Sequence, residues 1–184
     1  MNATVALPPA FFDRDAVTVA RALLGCVMRR DGVALRVVET EAYREADTAC
    51  HASRGRTPRT APLFGPPGRL YVYLCYGIHR LVNVVAEPEG CAAGVLIRGA
   101  TVVAGEARVR RRRGGRLDLI GPGKVGQALA AEVAWSGQPL GRALTLIDGR
   151  PRAAERVVAG PRVGIGYATP ADQALPWRFR LVAS

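Results

Sequence analysis

The stretch Val33-Ala34-Leu35-Arg36-Val37-Val38-Glu39-Thr40-Glu41-Ala42-Tyr43 constrains this chain more than any other. Its first half is β-branched and apolar, the composition of a buried strand, and its second half delivers two carboxylates and an aromatic ring. Side chains alternate along a strand, so Val33, Leu35 and Val37 are expected on the same face as Glu39 and Glu41. Two residues apart at about 3.3 Å per residue, the carboxylates stand roughly 7 Å from one another, at the margin of a core-facing surface. Desolvation there raises a carboxylate's pKa and readies it to take a proton near neutral pH. The stretch by itself also allows two acids simply solvated at a strand end.

Charge narrows the partners. The chain of 184 residues carries 26 basic against 15 acidic residues, a net charge of +11, and Lys124 is its single lysine. Such an excess on one small domain points to a polyanion, most simply nucleic acid, whose phosphates release counterions when neutralised. Arginine suits bidentate phosphate contacts. A GC-rich coding bias accounts for arginine over lysine but not for the excess over acids. No apolar run reaches the length of a membrane span and the first nine residues lack a secretion signal, so a cytoplasmic protein without membrane contact is expected. Cys26, Cys50, Cys75 and Cys91 form no Cys-x-x-Cys and the chain has two histidines, which argues against structural zinc and for reduced, mostly buried thiols.

In chain order, residues 1–10 are expected to be a flexible segment. A helix over 13–24 follows, capped by Asp13 or Asp15 and stopped by Gly25. Asp31-Gly32 predicts a tight hairpin into the organising strand. The loop after Tyr43 holds His51 and then Arg54, Arg56, Thr57 and Arg59, suited to gripping phosphates although equally readable as a solvated surface loop. Leu70, Val72 and Leu74 should face one way and Tyr71 and Tyr73 the other, with Tyr76 beside the turn at Gly77, an arrangement fit for stacking on bases. Asn83 in the returning apolar strand needs a partner or a purpose. A strand over 94–98 ends in Arg98, a helix over 101–113 ends in four arginines read as a solvated patch, and Gly121-Pro122-Gly123-Lys124 opens another helix whose amides can hold a phosphate. More strands and loops complete the chain, and no repeat or linker divides it.

Taken together, Val38-Glu39-Thr40-Glu41-Ala42-Tyr43, His51-Ala52-Ser53, Gly55-Arg56-Thr57-Pro58-Arg59, Leu70-Tyr71-Val72-Tyr73 with Tyr76-Gly77, Val95-Leu96-Ile97-Arg98 and Gly121-Pro122-Gly123-Lys124 resemble the alkyladenine (3-methyladenine) DNA glycosylase family, in its order, over nearly the whole chain. The resemblance implies a single α+β domain: a curved antiparallel β-sheet flanked by helices, a protruding hairpin that enters DNA, and no metal or other cofactor. It makes Glu41 the general base that activates water and Arg98 the residue that helps hold that water. Tyr43, His51 and Tyr73 would enclose a flipped purine and Asn83 would refuse guanine's 2-amino group. Tyr76 would fill the gap in the duplex, with Ile78 as its apolar support, and Arg54, Arg56, Thr57, Arg59 and Lys124 would meet phosphates. The implied partner is double-stranded DNA containing damaged purines, acted on by a monomer without an obligate protein partner, associated with the nucleoid in a prokaryote. The family's acidic-proline pair after the Arg98 strand is absent, Thr101-Val102 standing there.

The lysine usage adds that the enzyme should be monofunctional, because a lyase commonly attacks the sugar with an amine and the single lysine lies at the glycine-rich helix start. Two other classes remain open at this point. One is a catalytically silent nucleic-acid-binding module using the same basic and aromatic surface. The other, a metal-dependent nuclease, needs more clustered carboxylates than Glu39 and Glu41 supply.

Overall fold

Asp31 and Gly32 both take left-handed backbone conformations, with φ of 47° and 67°, and close the hairpin that starts the sheet. In the computed structural model, which describes residues 5–184, the elements before and around this turn are α1 (Pro9–Phe12), α2 (Ala16–Ala22), β1 (Val27–Arg30) and β2 (Val33–Arg44). A second hairpin, β3 (Leu70–Cys75) and β4 (His79–Val85), is followed by β5 (Ala93–Ala104), α3 (Glu106–Arg112), β6 (Leu119–Ile120) and α4 (Pro122–Leu129). The chain ends through β7 (Thr145–Ile147), β8 (Glu155–Gly160), α5 (Pro170–Ala174) and β9 (Arg178–Ala183).

The strands form one antiparallel sheet in the order β3-β4-β5-β2-β1-β7. Strand β2, twelve residues long, changes neighbours part-way: its start pairs with β1, whereas Glu39, Thr40 and Glu41 pair with β9, which carries β8. A strand that keeps β5 on one side while trading partners on the other curls the sheet, and the main core fills the curl beneath α2 and α4. The result is the single α+β domain with a curved antiparallel sheet that the sequence led us to expect. Asp15 caps α2 by accepting from the Thr18 amide at 3.0 Å, and Val19 and Ala20 of that helix are fully buried.

Several expectations change. Residues 1–4 lie outside the described residues, but Ala6 bridges to Ile147 and the Leu7 amide donates to the Leu146 carbonyl at 2.9 Å, so the rest of the segment expected to be flexible is tied to the sheet. The helix read over 101–113 starts only at Glu106. Thr101 and Val102, both β-branched, continue β5 opposite Arg36 and Leu35, and Gly105, at φ 80°, makes the turn into α3. The arginine run is not a uniformly solvated patch. Arg112 donates to the Ala128 carbonyl and to Asp31, and buried Arg113 donates to Gln127 Oε1 and the Asp118 carbonyl, so two of the four fasten α3 to its surroundings. Of the thiols, Cys26 and Cys50 are buried, Cys75 is half-buried and Cys91 is exposed.

Helix α4 approaches β4 more closely than any side chain would permit. A Cβ on Gly126 would lie 1.8 Å from the Arg80 carbonyl oxygen, and one on Gly123 would lie 2.8 Å from the His79 ring. These glycines seat the helix against the root of the second hairpin. Among the described residues, no helix is long and apolar enough to cross a membrane.

Candidate active site

Two neighbouring bulges decide which face of the sheet carries the acids. Strands β2 and β5 pair in register from Leu35 opposite Val102 to Val37 opposite Ala100; Val38 is then an extra residue on β2, so that Glu39 faces Gly99, and Arg98 is an extra residue on β5, so that Thr40 faces Ile97. An inserted residue reverses the facing of everything beyond it. Val33, Leu35 and Val37 lie in the main core, but past the bulge it is Ala42 that does so, while the Thr40 hydroxyl donates to the Ala20 carbonyl of α2. Glu39, Glu41 and Tyr43 therefore project from the opposite face. The expectation that the acids share a side with Val33, Leu35 and Val37 is corrected by the bulge at Val38; the two carboxylates share a face with each other.

Glu41 is fully buried. Its Oε1 accepts the Val163 amide at 2.9 Å, its Oε2 accepts the Tyr43 hydroxyl at 2.8 Å, and the Nε of Arg98 lies 3.4 Å from Oε1. Burial pushes its pKa up, and the Arg98 guanidinium, the Val163 amide and the Tyr43 hydroxyl pull it partly back. Burial and then the charge of Glu41 hold the Tyr43 phenol well above its usual range, so it remains a donor to the carboxylate. Glu39 Oε1 accepts from the Nε of Arg98 at 3.0 Å and faces the Nε of Arg178 at 3.2 Å. Strands β2, β5 and β9 thus each contribute charge to one point.

Beside the carboxylate a slot is lined by Tyr43, His51, Tyr71, Tyr73, Asn83 and Tyr167. Alternation along β3 behaves as expected: Leu70 and Val72 enter the core, while Tyr71 and Tyr73 pack on the slot side with Leu63 and Val85. The Nδ1 of His51 lies 2.9 Å from the Tyr71 hydroxyl, and its ring stands edge-on to Tyr73 with centroids 4.5 Å apart. Burial, aided by Arg59, pushes the His51 pKa down, which leaves the imidazole neutral at pH 7. Asn83 finds the partner its burial demands, its amide NH2 donating to the Tyr71 carbonyl at 3.0 Å.

At the tip of the β3–β4 hairpin, Tyr76 and Gly77 take φ of 50° and 71°, and the Ile78 amide donates to the Cys75 carbonyl at 3.2 Å. This turn holds two apolar side chains out of the protein, Tyr76 at 88% and Ile78 at 69% exposure.

The basic loop is less uniform than its sequence. All three arginines are exposed, but Arg56 leans over Phe64, 5.9 Å from the ring centroid, and Arg59 over Tyr73, 5.6 Å from its centroid, at the rim of the slot. Thr57 is occupied in shaping the loop, its amide donating to Thr60 Oγ1 at 2.8 Å and the two hydroxyls lying 3.0 Å apart. Lys124 is ion-paired with Asp118.

Three contributors were not legible as site residues. Tyr167, which lines the slot and donates its hydroxyl to the Ala49 carbonyl at 2.9 Å, stands in a part of the chain that reads only as more strands and loops. The Val163 amide is a backbone group and carries no residue identity. Arg162, ion-paired with Asp47 and wholly buried, donates to the Ala42 carbonyl at 2.9 Å and lies 4.8 Å and 5.2 Å from the ring centroids of Tyr43 and Trp177. It fixes the loop whose next residue meets Glu41, through a pairing 115 residues apart that no local pattern announces.

A curled antiparallel sheet that carries a buried carboxylate to the side of an aromatic slot, on a strongly basic molecule, has the parts that an enzyme acting on the bases of a nucleic acid needs. Residues 10–184 match the family described as "Methylpurine-DNA glycosylase (MPG)". The chain is 52% identical to a DNA-3-methyladenine glycosylase of Arabidopsis thaliana, over 94% of this chain and 70% of that one. It is 50% identical to a putative 3-methyladenine DNA glycosylase of Nitrosococcus oceani, over 95% and 89% respectively. A putative 3-methyladenine DNA glycosylase of Anaeromyxobacter dehalogenans is 47% identical over 97% of this chain and 84% of its own length. The chain belongs to the methylpurine-DNA glycosylase family: it is a base-excision DNA-repair hydrolase that acts on damaged DNA.

Proposed function

We propose that this enzyme flips a damaged purine out of duplex DNA into the slot between Tyr43, His51 and Tyr73 and hydrolyses its N-glycosidic bond with water activated by Glu41. The observation that carries this reading is the buried carboxylate of Glu41 beside an aromatic slot, with the Arg98 guanidinium next to it. Flipping costs a few kcal/mol, least for a damaged or poorly paired base. Tyr76, braced by Ile78, is well placed to fill the vacancy, because its turn already presents the ring to solvent.

Bond breaking passes through an oxocarbenium-like state on the sugar, which a carboxylate stabilises electrostatically. The water oxygen bonds to C1′, its proton goes to Glu41, and the C1′–N bond electrons leave with the base. A purine made cationic by alkylation departs as a neutral molecule. A carboxylate whose pKa is raised by burial is a stronger base than a solvated one, which suits this role. Arg98 would hold the water, and Asn83 would stand against a guanine 2-amino group. Arg54 and Arg56 would meet phosphates. The product is an intact abasic site, formed by a monomer, since one chain supplies every group invoked; in a prokaryotic cell the place of action is the nucleoid.

The test uses duplexes carrying a single hypoxanthine, or alkylated DNA, treated with the wild type or with Glu41→Gln and then with hot alkali. Alkali-labile breaks should form with the wild type only, while both proteins bind the duplex. Breaks that form before alkali would show a lyase, and equal breaks from both proteins would remove Glu41 from the mechanism.

A further inference from the structure

Beside the buried base lies a second carboxylate that this mechanism does not use. Glu39 is 5% exposed, and burying a second charge next to Glu41 is costly unless it is well paired. Its environment is built for it. The bulge at Arg98 brings that side chain to the face of the acids, and Gly99, directly opposite Glu39, leaves room: a Cβ there would lie 3.0 Å from Glu39 Cβ and 3.2 Å from its Oε2. The Oε1 of Glu39 then takes the Nε of Arg98 at 3.0 Å on one side and the Nε of Arg178 at 3.2 Å on the other.

The consequence is an unusual posture for Arg98. An arginine beside one carboxylate normally forks onto it with two parallel hydrogen bonds. Here the Nε is shared, 3.0 Å from Glu39 and 3.4 Å from Glu41. Among the described residues neither terminal nitrogen of Arg98 has a hydrogen-bond partner, and the side chain keeps 16% exposure. These nitrogens are left for whatever enters the site.

We propose that Glu39 is a positioning residue, which, backed by Arg178, holds Arg98 by its Nε and so prevents it from forking onto Glu41, leaving the terminal nitrogens and the carboxylate free to grip the water between them. This rests on the assignment of Glu41 and Arg98 above. Removing the charge of Glu39 releases Arg98 onto Glu41, which occupies the place of the water and weakens the base. Removing Arg178 acts in the opposite sense: Glu39 then has Arg98 to itself and draws it away from Glu41.

The experiment is single-turnover release of hypoxanthine from a defined duplex across pH 5 to 9, with wild type, Glu39→Gln, Arg178→Gln and Glu41→Gln, alongside duplex affinity and melting temperature. Glu39→Gln should bind the duplex normally, lose about 10- to 100-fold in rate, and show its acid limb at lower pH than the wild type. Arg178→Gln should move that limb to higher pH. The charge of Glu39 by itself already raises the Glu41 pKa, so its loss moves the limb even without any positioning but leaves the plateau rate above the limb untouched; an unaltered plateau rate in Glu39→Gln, or limbs that move the same way in both variants, overturn the proposal. Should Glu39→Gln fail to fold, Glu39→Asp, which keeps the charge but shortens the reach to Arg98, decides: it should lose plateau rate with little movement of the limb, and a wild-type plateau rate overturns the proposal. Wild-type rates in Glu41→Gln would sink the underlying assignment and this proposal with it; an inactive Glu41→Gln beside an unaltered Glu39→Gln would sink this proposal alone.

Discussion

Glu41 sits where a charge is uncomfortable, and that discomfort is measurable. Its folded-state pKa is raised, first by burial, so the folded protein binds this proton more tightly than the unfolded chain does. The stability lost to ionising it is therefore absent below the unfolded carboxylate range, develops as pH rises from there to the folded pKa, and is complete above the folded pKa. Gln in its place keeps an oxygen for the Val163 amide and carries no charge. Glu41→Gln should thus melt a few degrees higher than the wild type at pH 7, by roughly 2–4 °C per kcal/mol recovered, while losing base release. Calorimetric melting at a series of pH values checks this; the advantage should shrink as pH falls toward about 4.3, the ordinary range of a glutamate.

At the scale of the element, the β3–β4 hairpin separates two tasks by alternation and by one turn. Tyr71 and Tyr73 point into the slot from the strand, whereas Tyr76 leaves the protein because its φ of 50° turns the chain before Gly77. Helix α4, admitted to the hairpin's root by Gly126, stiffens the support. Tyr76→Ser should keep the slot and the melting temperature of the wild type but release base more slowly from a paired lesion, by about tenfold, since refilling of the stack is no longer driven. The deficit should narrow on a lesion left without an opposing base, where unstacking costs less. Rates on the two duplexes, compared by gel, test the separation.

At the scale of the whole molecule a net charge of +11 favours affinity for DNA phosphates more than specificity, and the phosphate contacts proposed for Arg54 and Arg56 can be tested through it. Arg54→Ala and Arg56→Ala should each lower the slope of log affinity against log salt by about 0.9. Thr57→Ala, whose hydroxyl is bound to Thr60, should leave the slope unchanged, and Lys124→Ala, already paired with Asp118, should lower it by less. Fluorescence anisotropy over a salt series distinguishes them. Residue order alone determined several elements and pointed to the polyanionic partner: the Asp31-Gly32 turn, the alternation of Leu70 to Tyr73 and the glycine-opened helix at Gly121 are local choices of backbone conformation and burial, and local physics writes them into neighbouring residues. Motif order likewise carried Glu41, Arg98 and, of the slot's aromatic residues, Tyr43, His51, Tyr71 and Tyr73 but not Tyr167. Only the tertiary structure decided how they meet. An extra residue at Val38 cannot be told from an ordinary strand residue until β5 lies beside it, yet it turned both acids out of the main core. The Val163 amide, the Arg162–Asp47 pair and the shared grip of Glu39 on Arg98 and Arg178 join residues far apart in the chain. Such pairings follow from how the sheet curls, and a curl is a property of strand partners rather than of any one strand.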